Sequence, residues 1–277
     1  MKVQVREMTD TSASLVVEGV HHSFVNALRR TMLAEVPKMA IEEVTIYDNT
    51  GALFDEMLAH RLGLVPIPTD LNAFVPRAEC VCNGEGCSNC TILYTLSKEG
   101  PAMVVSGDLT PADPRFKIKD DGIPLVKLLE GQRVMLEAAA ILNSGREHAK
   151  YAPVHAIGYK EVPHVEIKDS PPIPADVLSA LEKAAPEGTF AIENGRINVL
   201  DVEKAYSFFR SARYVWDLPN VRLWTDKDKF ILTFETDGSI TPKDALQRAV
   251  AILMEKLKQV ESDVPKLKLE DEAAPEA

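Results

Sequence analysis

The chain has 277 residues, enough for one large domain or two to three small ones, and its hydrophobic and charged fractions are typical of a soluble globular protein. Its formal net charge of −11 argues against a chain that wraps nucleic acid by itself, because phosphate binding needs clustered lysine and arginine. No run approaches the roughly 20 apolar residues of a membrane span, and the first ten residues contain no apolar signal core, so we expect a cytoplasmic protein.

The beginning of the chain has the pattern of a compact α+β domain. Residues 2–7 and 12–18 are predicted strands, an amphipathic helix is predicted at 24–36, and a further strand with imperfect alternation is predicted over 39–46.

The helix at 24–36 carries an unusual arginine. Ser23 is its predicted N-cap, and Pro37 ends it. Its apolar residues form one continuous arc: Phe24, Val25, Leu28, Met32, Leu33 and Val36. Arg29 falls inside this arc, whereas Arg30 points away from it. We therefore expect a helix that packs on its own domain and also meets another surface.

The middle of the chain has a different character. A short helix is predicted within 50–64 and stopped by Pro66, and Arg61 on it is interpreted as a snorkelling arginine. From 92 to about 165 the pattern is strand and turn, so residues 49–155 are predicted to form a strand-rich unit.

Residues 169–220 begin rich in proline and continue with helical periodicity. They predict a small helical insert without cysteine, with helices at 174–184 and 201–212. A strong strand is predicted at 229–236 after this insert.

A long helix follows, and its start is marked by Thr241 as N-cap, Pro242 at the first position and Asp244 at the third. One stripe of this helix is apolar: Leu246, Ala249, Val250, Leu253, Met254, Leu257 and Val260. Ile252 lies off the stripe. The pattern fits a helix that faces its own core and equally a helix that pairs across a subunit interface.

This order of elements indicates one domain with two insertions. The predicted dimerisation domain comprises residues 1–48, 156–168 and 221–262, the strand-rich insert 49–155, the helical insert 169–220, and a disordered acidic tail 263–277.

All four cysteines lie close together, as Cys80-x-Cys82-x4-Cys87-x2-Cys90, which indicates a metal site and not a disulfide framework. Four thiolates suit a structural tetrahedral zinc and leave no open position for a zinc hydrolase. From Cys82 onward the spacing also matches the first three ligands of plant-type iron–sulfur proteins, but no cysteine follows Cys90. The spacing therefore favours zinc over an iron–sulfur cluster, and it favours unliganded free thiols least.

No nucleophile–base, zinc-protease or phosphate-binding motif is present, so the sequence predicts no active site. Arg146, His148, Lys150 and Tyr151 crowd one loop, whose composition alone favours a solvated loop.

Four segments, at 26–46, 53–67, 80–90 and 146–153, resemble in sequence and order the family of D subunits of archaeal DNA-directed RNA polymerase. This family is similar to the third-largest subunit of the eukaryotic nuclear enzyme and to bacterial alpha. The resemblance implies a non-catalytic assembly platform for transcription within DNA-directed RNA polymerase, a nucleotidyltransferase. Its split α+β domain would form a heterodimer with subunit L and dock the large catalytic subunits, which hold the Mg²⁺ and touch nucleic acid.

The resemblance also implies site residues. Cys80, Cys82, Cys87 and Cys90 would bind the metal. Partner-binding residues would be Phe24, Leu28, Arg29, Arg30, Arg146, His148, Lys150, Leu246, Val250, Leu253 and Leu257. Many archaeal members carry a ferredoxin-like iron–sulfur domain at the second insert, but residues 169–220 contain no cysteine here, so no cluster is expected there. The alternative hypothesis is a free-standing iron–sulfur electron-transfer protein.

Overall fold

The computed structural model describes residues 1–168, 170, 172–193 and 195–266, and its mixture of helices and antiparallel sheets confirms the α+β class. The chain divides into two compact units, both discontinuous in sequence. The first unit comprises the described residues of Met1–Gln4, Leu15–Val25 and Tyr159–Leu232, and the second comprises Val5–Ser14, Asn26–Gly158 and the described residues from Thr233 to Lys266.

The strands are β1 (Lys2–Met8), β2 (Ser12–Glu18), β3 (Pro37–Asn49), β4 (Thr91–Glu99), β5 (Ala102–Val105), β6 (Thr110–Pro111), β7 (Pro124–Leu128), β8 (Arg133–Ser144), β9 (Val154–Ile167), β10 (Phe190–Glu193), β11 (Arg196–Val199) and β12 (Val221–Thr236). The helices are α1 (His22–Ala34), α2 (Asp55–Gly63), α3 (Ala175–Ala184), α4 (Val202–Ala212) and α5 (Pro242–Asp263).

In the first unit, parts of four strands pair in the order β1-β2-β12-β9. The cysteine-free insert contributes α3, the antiparallel β10–β11 hairpin and α4. Both helices agree with the sequence prediction to within one residue at each end, whereas the hairpin was not predicted. The insert has its own apolar core, in which the Phe190 and Phe209 rings stack with centroids 5.5 Å apart.

In the second unit, the main sheet has the order β3-β8-β4-β6, and β5 pairs with β7. Strand β3 pairs with β8 from Pro37↔Ser144 to Asn49↔Val134. Strand β3, predicted to lie mostly in the dimerisation domain, thus pairs with a strand of the strand-rich segment, and the predicted boundary at residue 48 stays a prediction. Two register shifts, after Ile41 and after Ile46, explain why its alternation is imperfect.

One face of this sheet packs under α2 and the β5–β7 pair to form a single core. Its fully buried members include Met39, Ile41, Leu58, Leu62, Ile67, Tyr94, Val104, Leu125, Leu136 and Ala140. The Tyr94 hydroxyl donates to the Phe116 carbonyl at 2.7 Å, which satisfies the polar end of this buried ring.

Helix α1 starts two residues before the predicted position. The Ser23 amide donates to Nδ1 of His21 at 3.3 Å, so His21 supplies the side-chain acceptor and Ser23 lies in the first turn, contrary to its predicted N-cap role. The predicted start of α5 is confirmed, since the Asp244 amide donates to the Thr241 hydroxyl at 3.2 Å.

Helix α5 continues to Asp263, and a short 3₁₀ turn follows at Val264–Lys266; the rest of the predicted acidic tail, 267–277, lies outside the described residues. Among the residues that the structure describes, no helix is long and apolar enough to cross a membrane.

Candidate functional site

The four cysteine sulfurs converge in one loop between α2 and β4. Sγ of Cys80 lies 3.5 Å from Sγ of Cys87, and Sγ of Cys82 lies 3.6 Å from Sγ of Cys90. All four sulfurs lie within 4.8 Å of one another. These separations are too long for disulfides, and they are close to the edge of about 3.8 Å of a tetrahedron with Zn–S bonds of about 2.3 Å. The donor set and its geometry therefore fit a tetrahedral metal ion.

Local backbone turns build this loop. The Asn83 amide donates to the Cys80 carbonyl at 3.0 Å, and the Cys90 amide donates to the Cys87 carbonyl at 3.0 Å, so each cysteine pair closes its own turn. Gly84 and Gly86 have φ of 87° and 91°, a region that glycine adopts without strain, and they reverse the chain between the two pairs. Cys90 directly precedes β4, which connects the loop to the sheet.

The loop already favours a thiolate at one ligand. The pKa of Cys82 is lowered to about 6, chiefly by the backbone N–H of Gly86 and also by the neighbouring thiols. These effects outweigh desolvation, which raises the pKa. For Cys80, donation from the Cys82 backbone acts downward, but desolvation and the neighbouring thiols outweigh it and raise the pKa to about 12. Metal binding requires thiolates, so an ion here would displace protons. In the described part of the chain, these cysteines are the one cluster of His, Cys, Asp or Glu side chains able to hold a metal.

The second feature is an uncovered apolar surface on α5. The buried side of the helix is formed by Pro242, Ala245, Ala249 and Ile252. Apart from Ala249, the predicted stripe lies on another face: Leu246 and Leu253 are half-buried, and Val250, Met254, Leu257 and Val260 are exposed, with Leu257 at 69%. The interpretation of this stripe as core-facing is therefore wrong for this chain. We name these six residues, without Ala249, the α5 stripe.

The predicted residues of α1 separate into two groups. Leu28 is only 5% exposed, so in this chain it is a core residue, and its predicted contact with a partner stays a prediction. Phe24 and Arg30 are exposed. Arg29 is half-buried, and its guanidinium donates from Nε and Nη2 to Oδ1 of Asn26, one helical turn earlier, at 3.2 and 3.1 Å.

The 146–151 loop is fixed by local contacts. The Arg146 amide donates to the Ala34 carbonyl at the end of α1 at 2.9 Å, and its guanidinium lies 3.4 Å from Glu35. A side chain at Gly145 would place Cβ 2.4 Å from the Leu33 carbonyl oxygen, so this close approach requires glycine.

Within the same loop, His148 is exposed, and its Nδ1 accepts the Lys150 amide at 3.1 Å. Lys150 is turned inward: its Nζ pairs with Glu42 and donates to the Ile41 carbonyl at 3.0 Å. Its ammonium is therefore paired within the chain, and its predicted contact with a partner stays a prediction. The Lys150 ammonium and then the Tyr151 hydroxyl hold the pKa of Glu42 below its usual range.

Two features were missed from the sequence. Arg77 bridges the cysteine loop and β3, and only the fold places its distant partners beside it. The exposed side of α2 and its flanks carries Phe54, Met57 and Leu64. Their spacing of three and seven residues is a helical pattern that the sequence contained.

Comparison with known proteins identifies the family. Residues 14–257 match the model of the RNA polymerase Rpb3/Rpb11 dimerisation domain. The DNA-directed RNA polymerase subunit Rpo3 of Methanothermobacter thermautotrophicus is 41% identical over 263 residues, covering 94% of this chain and 97% of that protein. Rpo3 of Methanosarcina mazei is 39% identical with the same coverage. Rpo3 of Pyrococcus furiosus is 36% identical over 96% of this chain and 98% of that protein. The chain therefore belongs to the family of the RNA polymerase Rpb3/Rpb11 dimerisation domain.

Proposed function

We propose that this chain is a non-catalytic assembly subunit of a multisubunit DNA-directed RNA polymerase, the enzyme of which its Rpo3 relatives are named as subunits. The observation that carries the proposal is the α5 stripe, an apolar surface left uncovered on the last helix of a dimerisation domain. Apolar surface of this kind marks an interaction site in a soluble protein. The free-standing iron–sulfur alternative has no support in a comparison that returns polymerase subunits over 94% of the chain.

The first partner in this proposal is a small subunit with a domain of like fold, which the sequence resemblance identifies as subunit L. Two helices pair well when each supplies an apolar stripe with near-heptad spacing, and the α5 stripe has that spacing from Leu246 to Val260. The heterodimer then docks the two large subunits, which perform nucleotide addition. Arg30 and Arg146 are exposed and basic on an acidic chain, and we assign them to this second contact. The proposal includes the cytoplasmic location expected from the sequence.

We further propose that Cys80, Cys82, Cys87 and Cys90 hold a structural zinc ion. The ion would hold together a loop that buries little apolar surface of its own. Val81, for example, is 89% exposed. The support is the donor set and the sulfur separations.

Co-expression with the small partner subunit tests the proposed pairing. The wild-type chain should elute with that subunit as a one-to-one complex in size-exclusion chromatography with light scattering. Leu257→Asp places a charge in the α5 stripe and should weaken the complex at least tenfold. Gln259→Asp is the matched control, because it adds the same charge two residues later on another face of the helix. A wild-type chain that stays monomeric beside the partner at micromolar concentration would contradict the proposal.

A further inference from the structure

Arg77 lies three residues before the first cysteine, in the short 3₁₀ turn Arg77–Glu79. Its guanidinium reaches across the cysteine loop. Nε donates to the Gly84 carbonyl at 2.8 Å, and Nη2 donates to the Glu85 carbonyl at 3.4 Å. Nη1 donates to Oε1 of Glu43 on β3 at 2.8 Å. One side chain thus connects the middle of the loop to the main sheet.

The Glu85 backbone shows how this contact reaches a ligand. Its carbonyl accepts from Arg77, and its N–H donates to the Cys82 carbonyl at 3.1 Å. Arg77 therefore holds the turn that begins at Cys82.

The conformation of the loop requires a stabilising contact of this kind. Asn83, Gly84 and Gly86 all have positive φ, and the two glycines would lose that conformation easily in a loop with little apolar packing. A Cβ on Gly86 would lie 3.3 Å from Nη2 of Arg77, so the guanidinium packs directly against this turn.

We propose that Arg77 is a positioning residue for the metal centre: it holds the Gly84–Gly86 turn so that four sulfurs are arranged for one tetrahedral ion. The inference rests on the proposed zinc site. Groups in this outer position orient the ligands of a metal, and their loss typically costs about 10–100-fold in metal affinity. Glu43 is a lesser contributor, because its side chain is 62% exposed and exposed ion pairs stabilise little.

The test measures zinc affinity of the full chain by competition with a chromophoric chelator. Arg77→Ala should lower the affinity about 10–100-fold. Arg77→Lys should recover only a small part of this loss, because an ammonium cannot reproduce the fork that spans two carbonyls and Glu43. Glu43→Gln should stay within about threefold of the wild type, because both carbonyl bonds remain.

Arg115→Ala is the control for removing an arginine near this loop, since Arg115 is exposed and bonded to Asp113. Its zinc affinity should equal that of the wild type. Cobalt(II) substitution adds a readout that stability alone would not move: the sulfur-to-cobalt charge-transfer band should shift in Arg77→Ala and stay unchanged in Arg115→Ala.

Two outcomes separate the inference from the function on which it rests. If the wild-type chain binds no zinc, the proposed metal site and the role of Arg77 both fail. If the wild type binds zinc and Arg77→Ala binds it equally well with the same cobalt spectrum, only the role of Arg77 is overturned. Size-exclusion chromatography of each variant with the small partner subunit tests assembly separately.

Discussion

At the scale of single residues, Leu28 and Arg29 stand side by side in α1 and are predicted to act differently. Leu28 is buried, so Leu28→Asp places an unpaired charge in the core and should cost at least about 3 kcal/mol of folding free energy. Arg29 has a polar partner only one turn away in its own helix, so Arg29→Ala should spare the fold. Because the sequence resemblance places Arg29 among the partner-binding residues, the same change should weaken binding to the large subunits. Thermal unfolding and pull-down of the heterodimer with those subunits separate the two effects. Equal losses of thermal stability would show that Arg29 is only structural.

Glu42 gives a prediction with a defined pH dependence. Its folded-state pKa is lowered, chiefly by the Lys150 hydrogen bond, so its contribution to stability is present above the ordinary pKa that a glutamate has in the unfolded chain. That contribution is lost as the pH falls through the folded pKa. Glu42→Gln should therefore destabilise the chain at pH 7, by less than about 1 kcal/mol because the pair is partly exposed, and this loss should shrink as the pH is lowered. Urea unfolding over a series of pH values from 7 downward measures this. A loss that does not change with pH would contradict the assignment.

Sequence reasoning found the cysteines and missed their brace, for a physical reason. The cysteines lie within eleven residues, so spacing alone predicts that they converge. The contacts of Arg77 with Glu43 and of Lys150 with Glu42 join residues that are distant along the chain, and neither side chain carries a local pattern of its own. A basic loop residue usually lies at the surface. The inward orientation of Lys150 therefore could not be predicted from the sequence and is seen only in the structure.

At the scale of elements, a buried ion pair fixes the entry to α5. Lys38, at the start of β3, pairs with Asp237, between β12 and α5, and the two side chains are 5% and 17% exposed. Asp237 also accepts from the Ser239 amide at 3.0 Å. Lys38→Met should destabilise the chain by up to about 3–5 kcal/mol, because it leaves a largely buried carboxylate without its counter-charge. Urea unfolding measures the loss.

The control for this change is Lys227→Met, which removes a lysine whose side chain is 81% exposed and should cost less than about 1 kcal/mol. The double variant Lys38→Met with Asp237→Asn should recover part of the loss, since no charge is then left buried. A single variant as stable as the wild type would show that the pair does not hold α5.

The cysteine loop predicts the effect of metal removal. Protein purified without added metal should contain about one zinc ion per chain by elemental analysis and show no visible absorbance. A chelator should increase hydrogen exchange in residues 76–90 while β4 and β8 stay protected, because their apolar core does not include the loop apart from its flanks. A brown protein with acid-labile sulfide would contradict zinc.

The start of a helix could be predicted from the sequence where a local capping signal marks it. The start of α5 is set by Thr241 and Pro242, and that of α4 by Asp201, which accepts two backbone amides of the first turn. The pairing of β3 with β8 was not predictable in the same way. An imperfectly alternating strand can join either neighbouring sheet, and its partner lies about 100 residues later.

At the scale of the whole molecule, the composition fits a subunit that acts through other subunits. The chain carries a net charge of −11, and its relatives are named as subunits of a DNA-directed RNA polymerase. An acidic subunit that binds proteins and leaves nucleic acid to its partners is consistent with both observations. The family was predictable from motifs spread along the chain. The exposure of the α5 stripe was not predictable, because the sequence fits a core-facing helix equally well.

The most direct test of the assembly role is affinity purification of the tagged chain from the organism that encodes it. We predict that the two largest polymerase subunits and the small partner co-purify in equimolar amounts and that the eluate synthesises RNA on a DNA template. The Leu257→Asp chain, expressed at an equal level, should lose these subunits, while Gln259→Asp should retain them. A wild-type chain recovered without the large subunits, or an equal recovery with Leu257→Asp, would contradict the account.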